Sequence, residues 1–314
     1  MADSAAALSP VRASSGAPPL RMRLSAIKRG LATLSLLLPA LTLMLLLLIG
    51  PVAAVLVMSL TDYQLGSPTW SFIGVQNYVD LFGDRVFWRS LSNTLLYVAI
   101  VVPVSVALGL GTALLIEARS SLQFFYRSVF FIPVMATLIA MAISWEYMLH
   151  PQFGLINLMF KAVGLPARAW LSDPALVLPT LAVIGVWKLF GFNMVLFLAG
   201  LVSIPQHLYE AAEMDGARSA WSRFRLVTWP MLGPVTMFVV LISAIRSFQV
   251  FDTVHVLTKG GPSKASEVLL YTMYSEGFEF FRSGLAATIA VVFLGFVLLL
   301  TLLKARFIDK RVHY

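Results

Sequence analysis

Residues 31–61 read LATLSLLLPALTLMLLLLIGPVAAVLVMSLT, a run without one charged side chain. A helix needs about 20 apolar residues to cross the roughly 30 Å hydrocarbon layer of a bilayer. The run is too long for the 7–15-residue core of a secretory signal peptide, so it reads as a retained membrane span, with Pro39 and Pro51 near its ends or kinking it. The rest of the 314-residue chain agrees: 59% of it is hydrophobic and only 12% charged. A soluble domain carries about 25% charged residues, so this chain cannot cover a water-exposed surface of its size. Gly 20 and Pro 16 are ordinary totals and exclude collagen-like and low-complexity classes.

Working outward, further apolar segments fall at 93–116, 128–149, 176–203, 231–256 and 284–303. The expected fold is an all-α polytopic membrane protein with six transmembrane helices. With both termini inside, the inner segments carry 14 of the Lys and Arg residues and the outer segments 7; Lys188 and Arg246 lie within spans. That bias matches the excess of positive charge on cytoplasmic loops and predicts an N-in, C-in topology. Residues 1–30 are Ser/Ala/Pro-rich and end in Arg21, Arg23, Lys28 and Arg29; they read as a disordered basic cytoplasmic tail anchored at the lipid surface. Residues 31–307 form the expected transmembrane domain and 308–314 a short cytoplasmic C-terminal tail. The net charge of +8 belongs to this asymmetry, and no nucleic-acid partner is implied.

Other chemistries drop out on counting. Without cysteine there is no disulfide, thiolate nucleophile or Cys-ligated metal, and His150, His207, His255 and His313 show no H-E-x-x-H spacing. An intramembrane protease would need paired Asp, Ser/His or HExxH elements at membrane depth, and none is present. No metal or cofactor is expected in this chain.

One inner loop is unusual. Residues 204–230 read IPQHLYEAAEMDGARSAWSRFRLVTWP. Glu210 to Met214 are helix formers, and Gly216 supplies the left-handed residue that ends a short helix. A second helix then runs toward Pro230, with Trp221 and Phe224 on one side and Arg218, Arg223 and Arg225 nearby. Two readings fit: a solvated helical hairpin, or a docking element for a cytosolic partner.

Glu210-Ala211-Ala212, then Asp215-Gly216-Ala217, then a Pro where the chain re-enters the membrane, resembles the EAA loop of binding-protein-dependent ABC importer permeases. In that family the loop forms the coupling helices that seat in the ATPase subunits. The family's Gly-to-Pro distance is 13 positions, whereas Gly216 to Pro230 is 14 and Trp229 replaces the usual Leu. One extra residue is therefore expected around Ser219–Ala220. Three more segments, RSVFFIPVMATLIAMAISWEYMLHPQFGLINLMF (127–160), GVWKLFGFNMVLFLAGLVSIP (185–205) and LTKGGPSKASEVLLYTMYSEGF (257–278), resemble the carbohydrate subgroup, of maltose- and glycerol-phosphate first-permease type.

The resemblance implies the type I ABC importer permease fold in a prokaryotic inner (plasma) membrane. It implies coupling through Glu210, Ala211, Ala212, Asp215, Gly216 and Ala217. It also implies a second permease subunit, two cytosolic ATPase subunits and an extracytoplasmic solute-binding protein, with a sugar or related polyol, glycerol-phosphate-like substrates included, as cargo. No G-x-x-x-x-G-K-[ST] loop occurs, so ATP and Mg belong to the partner subunits and the chain is not itself an enzyme.

Charges inside spans are costly and are candidate functional residues. Lys188 sits mid-span, and Arg246 and Asp252 lie in the fifth span, about 240° apart around a helix and so not an ion pair on one helix. Each contacts another helix or faces water. Sugar recognition uses aromatic faces with polar groups for hydroxyls. Trp187, Phe190 and Asn193 step by three along the fourth span, and Ser243, Phe248 and Phe251 could serve from the fifth. With Lys188 and Arg246 these are the substrate-path candidates; the plain alternative for the aromatic residues is packing. Glu146 reads as an interface residue.

The rival class is a secondary transporter driven by an ion gradient, which needs buried carboxylates near mid-span; Asp252 and Glu146 both lie toward the outer edge. The cysteine-free chain makes the topology testable. Single cysteines at Ser4, Ser222 and His313 should be labelled only from the cytoplasm, and those at Ser67 and Ser263 only from outside; labelling of position 222 from outside overturns the six-span arrangement.

Overall fold

The computed structural model describes residues 36–118 and 122–308. The expected N-terminal tail, and the C-terminal tail beyond Ile308, lie outside the described residues. The chain divides into two units, Met1–Ala54 and Val55–Tyr314. The first holds most of α1 (Leu36–Met58), an apolar helix with one widened π turn at Leu45–Ile49, just ahead of Pro51. All packing described below lies within the second unit.

There the helices are α2 (Gln76–Gly83), α3 (Arg85–Glu117), α4 (Gln123–Met135), α5 (Leu138–Met148), α6 (Leu155–Ala162) and α7 (Val177–Val202). The short α8 (Gln206–Met214) precedes α9, which comprises Ala220–Arg223, a π turn at Phe224–Thr228, and Trp229–Met231. Then come α10 (Gly233–Phe248), α11 (Asp252–Leu257), α12 (Leu269–Tyr274, continued by a π turn at Ser275–Glu279) and α13 (Ser283–Ile308). Among the described residues there is no strand, only an isolated antiparallel bridge between Thr61 and Phe72.

Four helical segments are long and apolar enough to cross a membrane: α1, α3, α7, and α10 with α11 over Gly233–Leu257. The pair α4–α5 makes a fifth if it is one span, and Ser283–Leu299 within α13 is a shorter apolar helix. These segments overlap the six apolar stretches read from the sequence, of which four are helices long enough to span, and three differ in detail. The second begins at Arg85 rather than Asn93, because the Asp84 carboxylate caps it by accepting from the Val86 N–H at 2.8 Å; hydropathy sees the apolar part of a helix, not its cap. The third is two helices bent by 98°. Pro133 removes a helical donor near the end of α4, and Ala136 and Thr137 are extended. The fifth is interrupted between Phe248 and Asp252.

The centre of the second unit is the pairing of α3 with α7, flanked by α10 and α4. Glycines bring these backbones together. A Cβ on Gly109 would lie 2.7 Å from the Asn193 Cβ, one on Gly185 would strike the Tyr97 hydroxyl, and one on Gly191 would strike the Phe130 carbonyl oxygen. Small residues of this kind allow the close contact that drives helix association in lipid. One polar link crosses three helices: Asn193 Nδ2 donates to Ser105 Oγ at 3.2 Å, and Ser243 Oγ donates to Asn193 Oδ1 at 3.0 Å. All three side chains are fully buried.

Two asparagines hold the connecting segments. Asn157 donates to the carbonyls of His150, Pro151 and Arg168 and accepts from the Arg168 N–H and Trp170 Nε1, closing the 150–175 connection. Asn93 donates to the carbonyls of Glu267 at 2.8 Å and Lys264 at 3.2 Å, while the Thr94 hydroxyl accepts from the Leu269 N–H. The 258–268 loop is thereby tied to α3.

Gly191 should tolerate no side chain. Gly191→Ala, set against the Phe130 carbonyl, is expected to destabilise by about 1–3 kcal/mol, read as a lower thermal transition of the detergent-purified protein. Gly295→Ala, with nothing within 4 Å, should leave the transition where it is.

Candidate functional site

A cavity of about 400 Å³ opens where α3, α7 and the α10–α11 interruption meet. From α3 it is lined by Tyr97 and Val101, from α4 by Val134, and from α7 by Gly185, Lys188 and Leu189. The end of α10 gives Arg246 and Ser247, the interruption gives Gln249, Val250 and Phe251, and α11 gives Asp252 and Thr253. The Arg246 guanidinium lies over the Phe192 ring of α7, 4.1 Å from its centroid, a contact worth about 0.5–2 kcal/mol depending on desolvation. Lys188 and Arg246 thus face one cavity from neighbouring helices, with Asp252 at its edge.

Of the sequence candidates, the cavity gathers Lys188, Arg246 and Phe251. Trp187 instead meets Trp145 edge-on at 5.4 Å, and Phe190 meets Phe130 at 5.8 Å. Asn193 and Ser243 satisfy each other in the buried link described above, and Phe248 is buried. Sequence reasoning missed Tyr97, Gln249 and Thr253. The available signal was the run Phe248-Gln249-Val250-Phe251-Asp252, where polar residues interrupt an apolar span. Phe251 also stacks on His255 at 5.1 Å, and Tyr274 lies 5.2 Å from the Phe251 ring.

A second opening of about 560 Å³ joins Glu146, His150 and Ser172 to Thr258, Gly261 and Pro262 of the 258–268 loop. In that loop the Glu267 side chain is buried, which pushes its carboxyl above the usual range; the Lys264 charge and a hydrogen bond from Thr272 oppose this. Burial likewise raises Glu276, against the opposing charge of Arg282. Among the described residues, no group of three or more His, Asp or Glu side chains could hold a metal ion.

The 204–230 loop has a definite build. On α8, Leu208, Tyr209 and Ala212 pack against the cluster of Leu201, Ile204 and Val227. Glu210, Ala211, Glu213 and Met214 face outward. Gly216 has a φ of 94°, and the Ala217 N–H reaches back to the Ala212 carbonyl at 2.9 Å, a left-handed C-terminal cap. Ala217 is buried while Asp215 is exposed. The Tyr209 hydroxyl and Thr228 Oγ1 are 3.0 Å apart, joining α8 to α9. Ser219 caps α9 by accepting from the Ser222 N–H, and a widened turn falls at Phe224–Thr228. An additional residue inside a helix is accommodated as a π bulge.

A helical membrane protein with glycine-mediated helix contacts, a polar cavity at a helix interruption and a capped two-helix inner loop has the build of a transport component. The chain belongs to the family described as binding-protein-dependent transport system inner membrane component, which matches residues 23–314. It is therefore a multi-pass transport protein of the prokaryotic cell membrane, a component of a transport system rather than an enzyme. It is 34% identical over 275 residues to the probable ABC transporter permease protein YurN of Bacillus subtilis, covering 86% of this chain and 94% of that one. It is 34% identical to the trehalose/maltose transport system permease protein MalF of Thermococcus litoralis, covering 85% and 89%. A crystal structure of a bacterial ABC transporter involved in import of the acidic polysaccharide alginate superposes with a TM-score of 0.77 at 25% identity, covering 91% of this chain and 99% of that chain. The ion-gradient-driven rival is not favoured.

Removing the three-helix link should weaken packing. Asn193→Ala leaves the Ser243 hydroxyl without its acceptor and is expected to cost about 1 kcal/mol, read as a lower thermal transition that Asn193→Gln does not restore.

Proposed function

We propose that this chain is the membrane-spanning permease subunit of an ATP-driven ABC importer for a sugar or related polyol. In this reading it works with a second permease subunit, two cytosolic ATPase subunits and an extracytoplasmic solute-binding protein. ATP and Mg are bound by the ATPase subunits. The six apolar segments span the membrane with both termini inside, residues 31–307 form the permease domain, and 1–30 and 308–314 are cytoplasmic tails.

The observation that carries the reading is the inner loop. An exposed coupling surface needs a short, rigid helix whose inward face is bonded to the membrane core and whose outward face is free. Leu208, Tyr209 and Ala212 supply the first condition. Glu210 and Glu213 supply the second, being exposed and, among the described residues, in no ion pair. Closure of the ATPases on ATP moves the loop over residues 208–220. Because α8 is continuous in packing with α7 and α9, that motion rocks the helices and opens the cavity outward to receive cargo. Support for the cargo class comes from the relatives, which include transport permeases for trehalose/maltose and for sn-glycerol 3-phosphate.

Gly216→Val places a β-branched residue at a φ of 94°, costing about 1–3 kcal/mol in strain, and Glu210→Lys reverses the outward charge. Both are expected to reduce ATP-driven uptake about tenfold or more and to weaken ATPase attachment, while abundance in the membrane changes little. Normal transport by both variants in a reconstituted complex, or uptake by the purified chain without an ATPase, would overturn the reading and bring the ion-gradient-driven alternative forward.

A further inference from the structure

The cavity between α3, α7 and the α10–α11 interruption carries more positive charge than it balances. Lys188 and Arg246 line it together with a single carboxylate, Asp252. Among the described residues the only ion pairs are Arg127 with Glu117 and Arg282 with Glu276, and neither involves a cavity residue. Charged side chains at membrane depth are retained where they pair with each other or face a water-filled path. Lys188, Arg246 and Asp252 form no ion pair with one another, and two cations against one carboxylate leave the lining with a formal excess of positive charge.

The geometry at Arg246 adds direction. Its guanidinium carbon lies 4.1 Å from the centroid of the Phe192 ring, and among the described residues its N–H edge has no hydrogen-bond or ion-pair partner. That edge is the part that binds two oxygens of one oxyanion at once. Lys188, from α7, supplies a mobile point charge on the same space. The rest of the lining differs in character. Gln249 and Asp252 supply donors and acceptors suited to hydroxyl groups, and the Phe251 ring supplies an apolar face. The volume of about 400 Å³ lies within the range of small-ligand sites.

From this arrangement we infer that the cavity takes an anionic polyhydroxy ligand, a saccharide or polyol bearing a carboxylate, phosphate or sulfonate, whose oxyanion sits between Lys188 and Arg246. The inference rests on the importer reading above and narrows its cargo. A neutral sugar entering the same space would desolvate two cations with only Asp252 to compensate them.

The test uses the complete complex, with its second permease, ATPases and binding protein, in phosphatidylcholine vesicles. The probe is an equimolar mixture of neutral saccharides and polyols with uronate-, phosphate- and sulfonate-bearing ones, and vesicle contents are read by mass spectrometry. ATP-dependent accumulation should favour acidic members. Lys188→Gln and Arg246→Gln should each lower it about tenfold, the scale of one charge-assisted hydrogen bond. Lys188→Arg and Arg246→Lys, which keep the charge, should recover part of the loss, and Lys161→Gln, an exposed cation away from the cavity, should change nothing. Accumulation of neutral members alone, or acid uptake indifferent to both Gln variants, overturns the charge inference and leaves the importer standing. Loss in the Gln variants that appears only when phosphatidylglycerol is added assigns the cations to a lipid headgroup and also overturns it. No ATP-dependent accumulation of any member removes the importer reading and this inference with it.

Discussion

The approach of α3 to α7 at glycine positions sets the rest of the second unit. In lipid the apolar side chains of two helices gain little by meeting each other instead of hydrocarbon tails, so association depends on how closely the backbones can come. Gly109 against Asn193 and Gly185 beneath Tyr97 fix that distance, and Gly191 against the Phe130 carbonyl does the same for α4. The remaining elements take their positions from the pair. α4 packs where Gly191 leaves room for its backbone, α10 is pinned through Ser243 to Asn193, and the 258–268 loop is bonded to Asn93 and Thr94 of α3. The cavity is the space left where this packing is interrupted.

That interruption follows from the same physics. A membrane helix satisfies its own backbone groups, and breaking one exposes N–H and C=O groups that hydrocarbon cannot bond. Irregular backbone at such depth is tolerated where protein or water covers it. The chain between α10 and α11 is irregular at Gln249, Val250 and Phe251, and these three residues line the cavity. The broken helix and the polar cavity therefore go together: the break supplies polar lining, while the Gln249 and Val250 N–H groups stay bonded to the Ile245 and Ser247 carbonyls.

The sequence revealed segment positions better than segment shapes. Hydropathy located every apolar segment, because a charge-free run such as 31–61 has few other interpretations. It could not reveal that 128–149 is bent, since Pro133 kinks some helices and is absorbed by others, and the extended Ala136–Thr137 pair has no special composition. Helical spacing was a poor guide to the cavity. Trp187, Phe190 and Asn193 share a drifting face, yet Trp187 and Phe190 find aromatic partners and Asn193 finds two serines. Charge was the better guide, for Lys188 and Arg246 cannot be buried as packing and do reach the cavity. Tyr97 was not visible as a candidate because its role depends on a glycine, Gly185, distant in sequence and adjacent in space.

The proposed coupling loop joins a spacing anomaly in the sequence to a widened turn in the structure. Counted along the chain, one residue too many separates Gly216 from Pro230, and a loop insertion near Ser219 is the natural reading. The Ser219 cap marks the start of α9, and Val227, Thr228 and, just beyond α9, Leu232 are buried. The π turn at Phe224–Thr228 is a second place where one residue can be taken up. The Trp229 N–H reaches the Phe224 carbonyl, five residues back, instead of bonding four back. A turn widened in this way takes up one residue and restores the helical phase beyond it. Each residue before the bulge is consequently rotated by about 100° from where an unbroken α-helix traced back from Pro230 would put it. Trp221 and Phe224, stacked at 5.5 Å, lie before or at the bulge and take that rotation, while Leu232 and Val239 beyond it keep their place in the core. The π turn thus lies between side chains that α9 leaves exposed, such as Trp221, and side chains that pack inward, such as Val227.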